Sequence, residues 1–203
     1  MVSMIYDISQ EVLSCEVYPG DPAPKKESLC SIKNGDVCNL TAFSMCAHNG
    51  THIDAPCHFF DDGLTIEKID IERLVGYAYV AEFDGELDKS DAEKIIADAR
   101  AAGHDAEKRI LIKGNATVTL EAARVFADSG VFLVGNESQT VGPKDAPMVV
   151  HTLLLGQGII LLEGIRLSHV PVGMYLLNCA PISIKGADGA PCRAILIDVE
   201  HLV

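Results

Sequence analysis

Eleven residues, His48-Asn49-Gly50-Thr51-His52-Ile53-Asp54-Ala55-Pro56-Cys57-His58, restrict what this chain can build more than any other stretch. Gly50 weakens a helix and Pro56 lacks a backbone donor, so a continuous helix is ruled out there. In an extended chain alternate side chains point the same way. His48, His52, Asp54 and His58, all at even positions, then share one face. Imidazole nitrogens and a carboxylate converging on one point suit a divalent transition metal. A lone loop histidine is usually a surface or hydrogen-bonded residue. Three in phase with an aspartate are not explained by solvation or packing.

Ligand counting sharpens this reading. Four protein ligands on one zinc ion close the site, whereas a catalytic site keeps a position open. Either one histidine is an acid/base, or the carboxylate is shared by two ions, and both options require ligands elsewhere. Glu163 follows Ile159-Ile160-Leu161-Leu162, a costly place for a charge unless it is paired or ligating; the alternative is a strand-end surface position. His151 interrupts an apolar run, where the alternative is a core histidine bonded to a backbone carbonyl. Cys46, in phase, and Cys57, out of phase, are weaker thiolate candidates. His104, His169 and His201 have polar or terminal neighbours and read as structural or exposed.

Two rival chemistries fit parts of the pattern. His52-x-Asp54 with distant His151 has the spacing of a two-histidine, one-carboxylate iron oxygenase. That triad leaves His48 and His58 without a role, and a helix-containing middle suits a jelly roll poorly. A closed ligand set would instead make a non-catalytic, metal-stabilised binding protein.

The remaining composition bounds the partners. The 203 residues are expected to form one domain, 1–203, with a hydrophobic content of 48% sufficient for a core. The formal charge, 16 − 29 = −13, argues against nucleic acid and anionic membranes. A small anionic substrate stays open, because a metal dominates its local field. The seven cysteines include no Cys-x-x-Cys pair, and Met1-Val2-Ser3-Met4-Ile5-Tyr6-Asp7 lacks a basic start. Reduced thiols in a cytoplasmic protein are the expectation. No apolar run reaches the ~20 residues that span a bilayer, and no Gly-rich nucleotide fingerprint or Gly-x-Ser-x-Gly elbow is present.

The element pattern is mixed α/β with strands dominating. Tyr18 to Pro24 reads as a turn-rich loop, and Ile32 to Ala47 as strands leading into the histidine segment. Ser90-Asp91-Ala92-Glu93 reads as a capping box opening a helix that stops at Gly103. A second helix spans Thr119 to Ser129, and Asp145 to Gly156 is read as a short helix over a strand. Val75–Phe83 and the aliphatic runs at 110–112, 131–134, 159–162, 174–177 and 194–197 read as strands.

The histidine segment, extended to Phe59, resembles the His-x-Gly-Thr-His-x-Asp-x-Pro-x-His-Phe signature of the metal-dependent cyclase family, which includes bacterial kynurenine formamidase and isatin hydrolase. Tyr6-Asp7-Ile8-Ser9, Tyr18-Pro19-Gly20-Asp21, Leu162-Glu163-Gly164-Ile165 and Pro191-Cys192-Arg193-Ala194 extend the likeness across nearly the whole chain. The resemblance implies a swivelling β/β/α fold and hydrolysis of a small amide, formamide or cyclic amide at a carbon–nitrogen bond. By the same likeness His48, His52 and Asp54 match metal ligands. His151 and Glu163 match ligands of a second ion bridged by Asp54, and His58 matches a general acid/base. It further implies one or two divalent ions, zinc first and manganese as the alternative. A small-molecule substrate is expected, in a homodimer or homotetramer whose neighbouring loops close the pocket. One segment departs: Gly135-Asn136-Glu137-Ser138-Gln139-Thr140 stands where the formamidases carry a Gly-Ile-Asp-Thr-Pro-Ser-type stretch.

Overall fold

The computed structural model describes residues 4–199. Its elements in chain order begin with strand β1 (Ile5–Asp7), the hairpin β2 (Lys25–Cys30) and β3 (Leu40–Ser44), and β4 (His52–Asp54). Next come β5 (Val75–Glu82), β6 (Gly85–Leu87), helix α1 (Lys89–Ala102), β7 (Arg109–Lys113), β8 (Ala116–Val118) and helix α2 (Leu120–Asp128). The chain continues through β9 (Leu133–Asn136), helix α3 (Pro147–Gly156), β10 (Ile160–Glu163), β11 (Gly173–Asn178), β12 (Gly189–Pro191) and β13 (Ile195–Asp198). The class is the mixed, strand-dominated α/β expected from the sequence.

Nine strands join one sheet in the order β1-β13-β11-β5-β7-β9-β10-β4-β12. Its centre, β5-β7-β9-β10, is parallel, and the strands on both flanks are antiparallel. Parallel neighbours need long crossovers, and each of the three here carries one helix. The crossovers step across the sheet in one direction, so their constant handedness places all three helices on one face. There Ala92, Ile95 and Ile96 of α1, Phe126 of α2 and Leu154 of α3 pack on Ile110, Ile112, Val134 and Leu161. The alternate residues Leu111, Leu133, Ile160 and Leu162 face the other way, into a second apolar layer with Ile53, Val80, Leu177 and Leu196. Strands covered on both sides read as unbroken aliphatic runs, which is why these were visible in the sequence.

Local expectations change in four places. The capping box lies two residues earlier: the Asp88 carboxylate accepts from the Asp91 amide at 3.0 Å, and that of Asp91 from the Asp88 amide at 3.1 Å. Aspartate caps as well as serine, and this start still buries Ala92, Ile95, Ile96 and Ala99. The run at 131–134 enters its strand only at Leu133, and Ile32–Asn34 is a 3-10 turn rather than a strand. Fourth, the β2–β3 hairpin pairs only with itself and leaves Leu29, Leu40 and Phe43 exposed. The helices over 119–129 and 145–156 stand as expected, with Thr119 capping the first and Pro147 opening the second.

Candidate metal centre

The histidine segment is not one extended ribbon. Only His52–Asp54 is strand; Gly50 turns the chain at φ +69°, and Pro56–His58 is a 3-10 turn. The reason is local, because glycine accepts a left-handed turn and proline cannot donate to a sheet ladder. The two turns nevertheless fold His48 and His58 back over the strand. Their rings lie 4.1 Å apart between centroids, and His48 Nδ1 is 2.8 Å from Asp54 Oδ1.

Sheet register supplies the remote residues. His52 stands directly across from Glu163 in the antiparallel β4–β10 pair, and Asp54 across from Gly189 of β12. Directly opposed residues place their side chains within reach of one another. His52 Nε2 is accordingly 3.3 Å from Asp54 Oδ1 and 3.6 Å from Glu163 Oε2. His151 enters from α3, with Nε2 3.1 Å from Glu163 Oε1 and 3.7 Å from Asp54 Oδ2. His52, Asp54, His151 and Glu163 are all buried.

Two ring orientations are fixed by backbone carbonyls, which can only accept. His52 Nδ1–H donates to the Gly50 carbonyl at 3.0 Å, and His151 Nδ1–H to the Pro147 carbonyl at 2.9 Å. Each ring therefore turns its Nε2 toward the two carboxylates, and once neutral it would offer that atom's lone pair to an ion, the arrangement that metal-ligating histidines use. Donor atoms about 2.0 Å from a common ion in tetrahedral array stand about 3.3 Å apart, and the 3.3, 3.6 and 3.7 Å separations lie close to that spacing. Among the described residues two groups have ligand atoms within 4.8 Å of one another, His48-Asp54-His58 and His52-Asp54-Glu163, with Asp54 common to both. The residues present thus fit one or two divalent ions.

The electrostatics point the same way. Burial disfavours the imidazolium of His48, but the carboxylates of Asp54 and Asp188 outweigh it and raise its pKa to about 9. His52 and His151 are shifted upward against the same burial penalty, chiefly by Asp54 and Glu163 respectively. Burial would raise Asp54, yet hydrogen bonds from His48 and His52 hold it well below the ordinary carboxylate range. Buried carboxylates that pull protons onto every neighbouring imidazole are short of positive charge, and an ion supplies it.

Other sequence candidates fall outside this cluster. Cys46 points its thiol at Asp21 Oδ2 at 3.6 Å, and Cys57 at the Ala187 carbonyl at 3.4 Å. Burial raises both thiol pKa values, against a thiolate role. His104 and His169 are exposed, as expected, and His201 lies outside the described residues.

Asp188 escaped the sequence reading. One of its oxygens, Oδ2, accepts from His48 Nε2 at 3.0 Å and from His58 Nδ1 at 3.1 Å. Its setting, Gly186-Ala187-Asp188-Gly189, reads as an ordinary turn. Only the fold reveals the constraint, at Gly189, where a Cβ would come within 2.7 Å of His48 Cε1. His48, His52, Asp54, His58, His151 and Glu163 line a cavity of about 210 Å³ that Tyr18, Phe59, Gln139 and Thr140 help to wall.

Residues 6–143 match the cyclase family model, a span holding the entire histidine segment. The chain belongs to the cyclase family. Kynurenine formamidase of Salinibacter ruber is 32% identical to this cyclase-family chain over 215 residues, covering 96% of it and 97% of the relative. Among solved structures, a potential metal-dependent hydrolase with cyclase activity has a TM-score of 0.78 at 28% identity, over 97% of this chain and 98% of the other. Isatin hydrolase A from Labrenzia aggregata has a TM-score of 0.81 at 21% identity, over 98% and 94%, and extends the likeness in fold. The mixed sheet with its helical layer is no jelly roll, so the iron-oxygenase alternative loses its scaffold.

Proposed function

We propose that this cyclase-family chain is a metal-dependent hydrolase of a formamide or cyclic amide, cutting a carbon–nitrogen bond that is not a peptide bond. The observation that carries the reading is the pair of groups at ligand spacing that share Asp54 and line one cavity; of their members, His58 is the one assigned to proton transfer rather than to the ion. His48, His52 and Asp54, with His151 and Glu163, would hold one or two ions. Zinc is the first choice and manganese the second. When bound, such an ion polarises a carbonyl and lowers the pKa of a coordinated water from about 15.7 toward about 7.

The chain's own residues would supply orientation and proton transfer. Glu163 Oε1 is fixed by the Val141 amide at 2.8 Å, which leaves Oε2 for coordination. His58 is the candidate acid/base. With Nδ1–H donating to Asp188, its Nε2 is the atom that can take a proton from the nucleophile and return it to the departing nitrogen. Phe59, its ring 4.8 Å from that of His58, helps to shield the exchange from bulk water.

Related assignments belong to the same reading. A small-molecule substrate, a cytoplasmic setting and a homodimer or homotetramer are proposed together. The free cysteines and the exposed apolar hairpin support the last two. The decisive test strips metal with a chelator, restores zinc or manganese, and follows formanilide and isatin hydrolysis. Activity lost on stripping and regained on loading is expected; activity indifferent to both treatments would sink the proposal.

A further inference from the structure

Glu163 is held by one short segment of chain. Beyond β9, residues 136–141 run beside the turn that follows β10. The Gly164 amide donates to the Ser138 carbonyl at 2.8 Å, and the Ile165 amide to the Asn136 carbonyl at 3.2 Å. The Val141 amide donates to Glu163 Oε1 at 2.8 Å. The backbone beyond Glu163 and one of its oxygens are thus fixed by main-chain groups of 136–141 alone. Main-chain groups are present whatever the side chain. Residues 135–140 can therefore leave the formamidase pattern and still orient this carboxylate.

An irregular segment needs an anchor of its own, and the half-buried Glu137 provides one. Its Oε1 accepts from the Leu167 amide and its Oε2 from the Gly114 amide, each at 2.7 Å. One donor lies just past β7 and the other just past the Glu163 turn, so a single carboxylate ties three stretches of chain together. Hydrogen bonds to an ionised acceptor are roughly twice as strong as neutral ones. Among the described residues Glu137 forms no ion pair and stands in neither group at ligand spacing. The neighbouring Arg166 instead donates from Nη1 to the carbonyls of Glu137 at 3.0 Å and Ile165 at 2.8 Å, which adds a second tie across the same turn.

We propose that Glu137 is a positioning residue of the metal centre. By pinning segment 136–141 to Gly114 and Leu167, it holds the Glu163 turn in the orientation that leaves Oε2 for the ion. It acts on the ion only through Glu163. The inference rests on the metal-centre reading and adds to it a residue that coordinates nothing.

The test measures zinc affinity against a competing chelator in Glu137→Asp and Glu137→Gln. Aspartate keeps the charge but is one methylene too short to reach both amides. Glutamine keeps the length but turns a donor toward one of them. Both variants should bind zinc about tenfold more weakly, the lower end of what losing a group that orients a ligand costs. A residue acting through its charge alone would weaken binding only in Glu137→Gln. A mere structural brace would lower the denaturation midpoint of metal-free protein and leave the affinity of the folded protein unchanged. Either pattern overturns the proposal. A double-mutant cycle locates the effect: once Glu163→Gln has removed the ligand, Glu137→Asp should change affinity by no more than about twofold, and a full tenfold loss there overturns the proposal too. Should both Glu137 variants misfold, Arg166→Gln loosens the same turn. Removing a cation near the ion would tighten zinc binding by Coulomb's law alone, so a fall of about threefold supports positioning, and a rise or no change overturns it. Wild-type protein that takes up neither zinc nor manganese overturns the metal centre itself, and this proposal with it.

Discussion

Asp188 and His58 separate what holds an ion from what moves a proton. Asp188 ties two histidines through one oxygen, yet its own side chain is 48% exposed and outside both ligand groups that share Asp54. Asp188→Asn should keep the metal and lower kcat about 10- to 100-fold, the usual cost of losing a group that orients a ligand or base. His58→Ala should likewise retain metal, measured by elemental analysis, and lose most turnover; loss of the ion would reassign His58 as a ligand. A pH effect belongs to the same residues. In metal-free protein His48 keeps its proton to about pH 9, against 6.5 when unfolded. Its contribution, roughly 3 kcal/mol, is complete below about pH 6.5 and is lost as pH rises through about 9. Asp54, shifted downward, contributes in the opposite sense, and its share is lost only as acid protonates it. The melting temperature of chelated protein should therefore fall between pH 6.5 and 9, while the loaded protein, with an ion in place of protons, stays nearly flat. A flat metal-free profile would show that His48 is not held by Asp54 and Asp188.

At the level of elements, the junction after β10 is the least tolerant. Gly164 has φ +68°, and a Cβ there would run into the Gly50 carbonyl and come within 2.6 Å of Gln10 Nε2. Gly164→Ala should cost about 2–4 kcal/mol, combining left-handed strain with the clash. Because it adjoins Glu163, metal affinity should fall along with the denaturation midpoint; unchanged affinity would detach the turn from the site. This junction also marks what the sequence could reveal. His52 and Asp54 were legible because strand alternation puts them on one face. Glu163 was legible because a charge closing a buried aliphatic run needs a partner. His48 and His58 were found by the right residues and the wrong geometry: turns at Gly50 and Pro56, not a straight strand, aim them inward. Asp188 was not legible. It immediately precedes β12, and its place is set by the pairing of β12 with β4, a contact between distant segments that leaves no periodic trace.

Across the whole molecule, the candidate centre is a seam joining β4, β10 and β12, whose residues lie at 52–54, 160–163 and 189–191. More than one hundred residues separate the first from the others, and the span matched by the family model ends before β10 begins. A chain emerging from a ribosome would thus expose the histidine segment long before Glu163 and Asp188 exist to complete its surroundings. Loop closure over such distances is slow compared with local helix formation. The order of events follows: aliphatic burial around β5, β7 and β9 comes first, and the ion is captured afterwards. In a refolding time course, uptake reported by a zinc indicator should lag the recovery of helical circular dichroism, and uptake that leads it would reverse the sequence. On this view the metal is no seed for folding. It acts as a seal, closing only on chains whose two ends have already found each other.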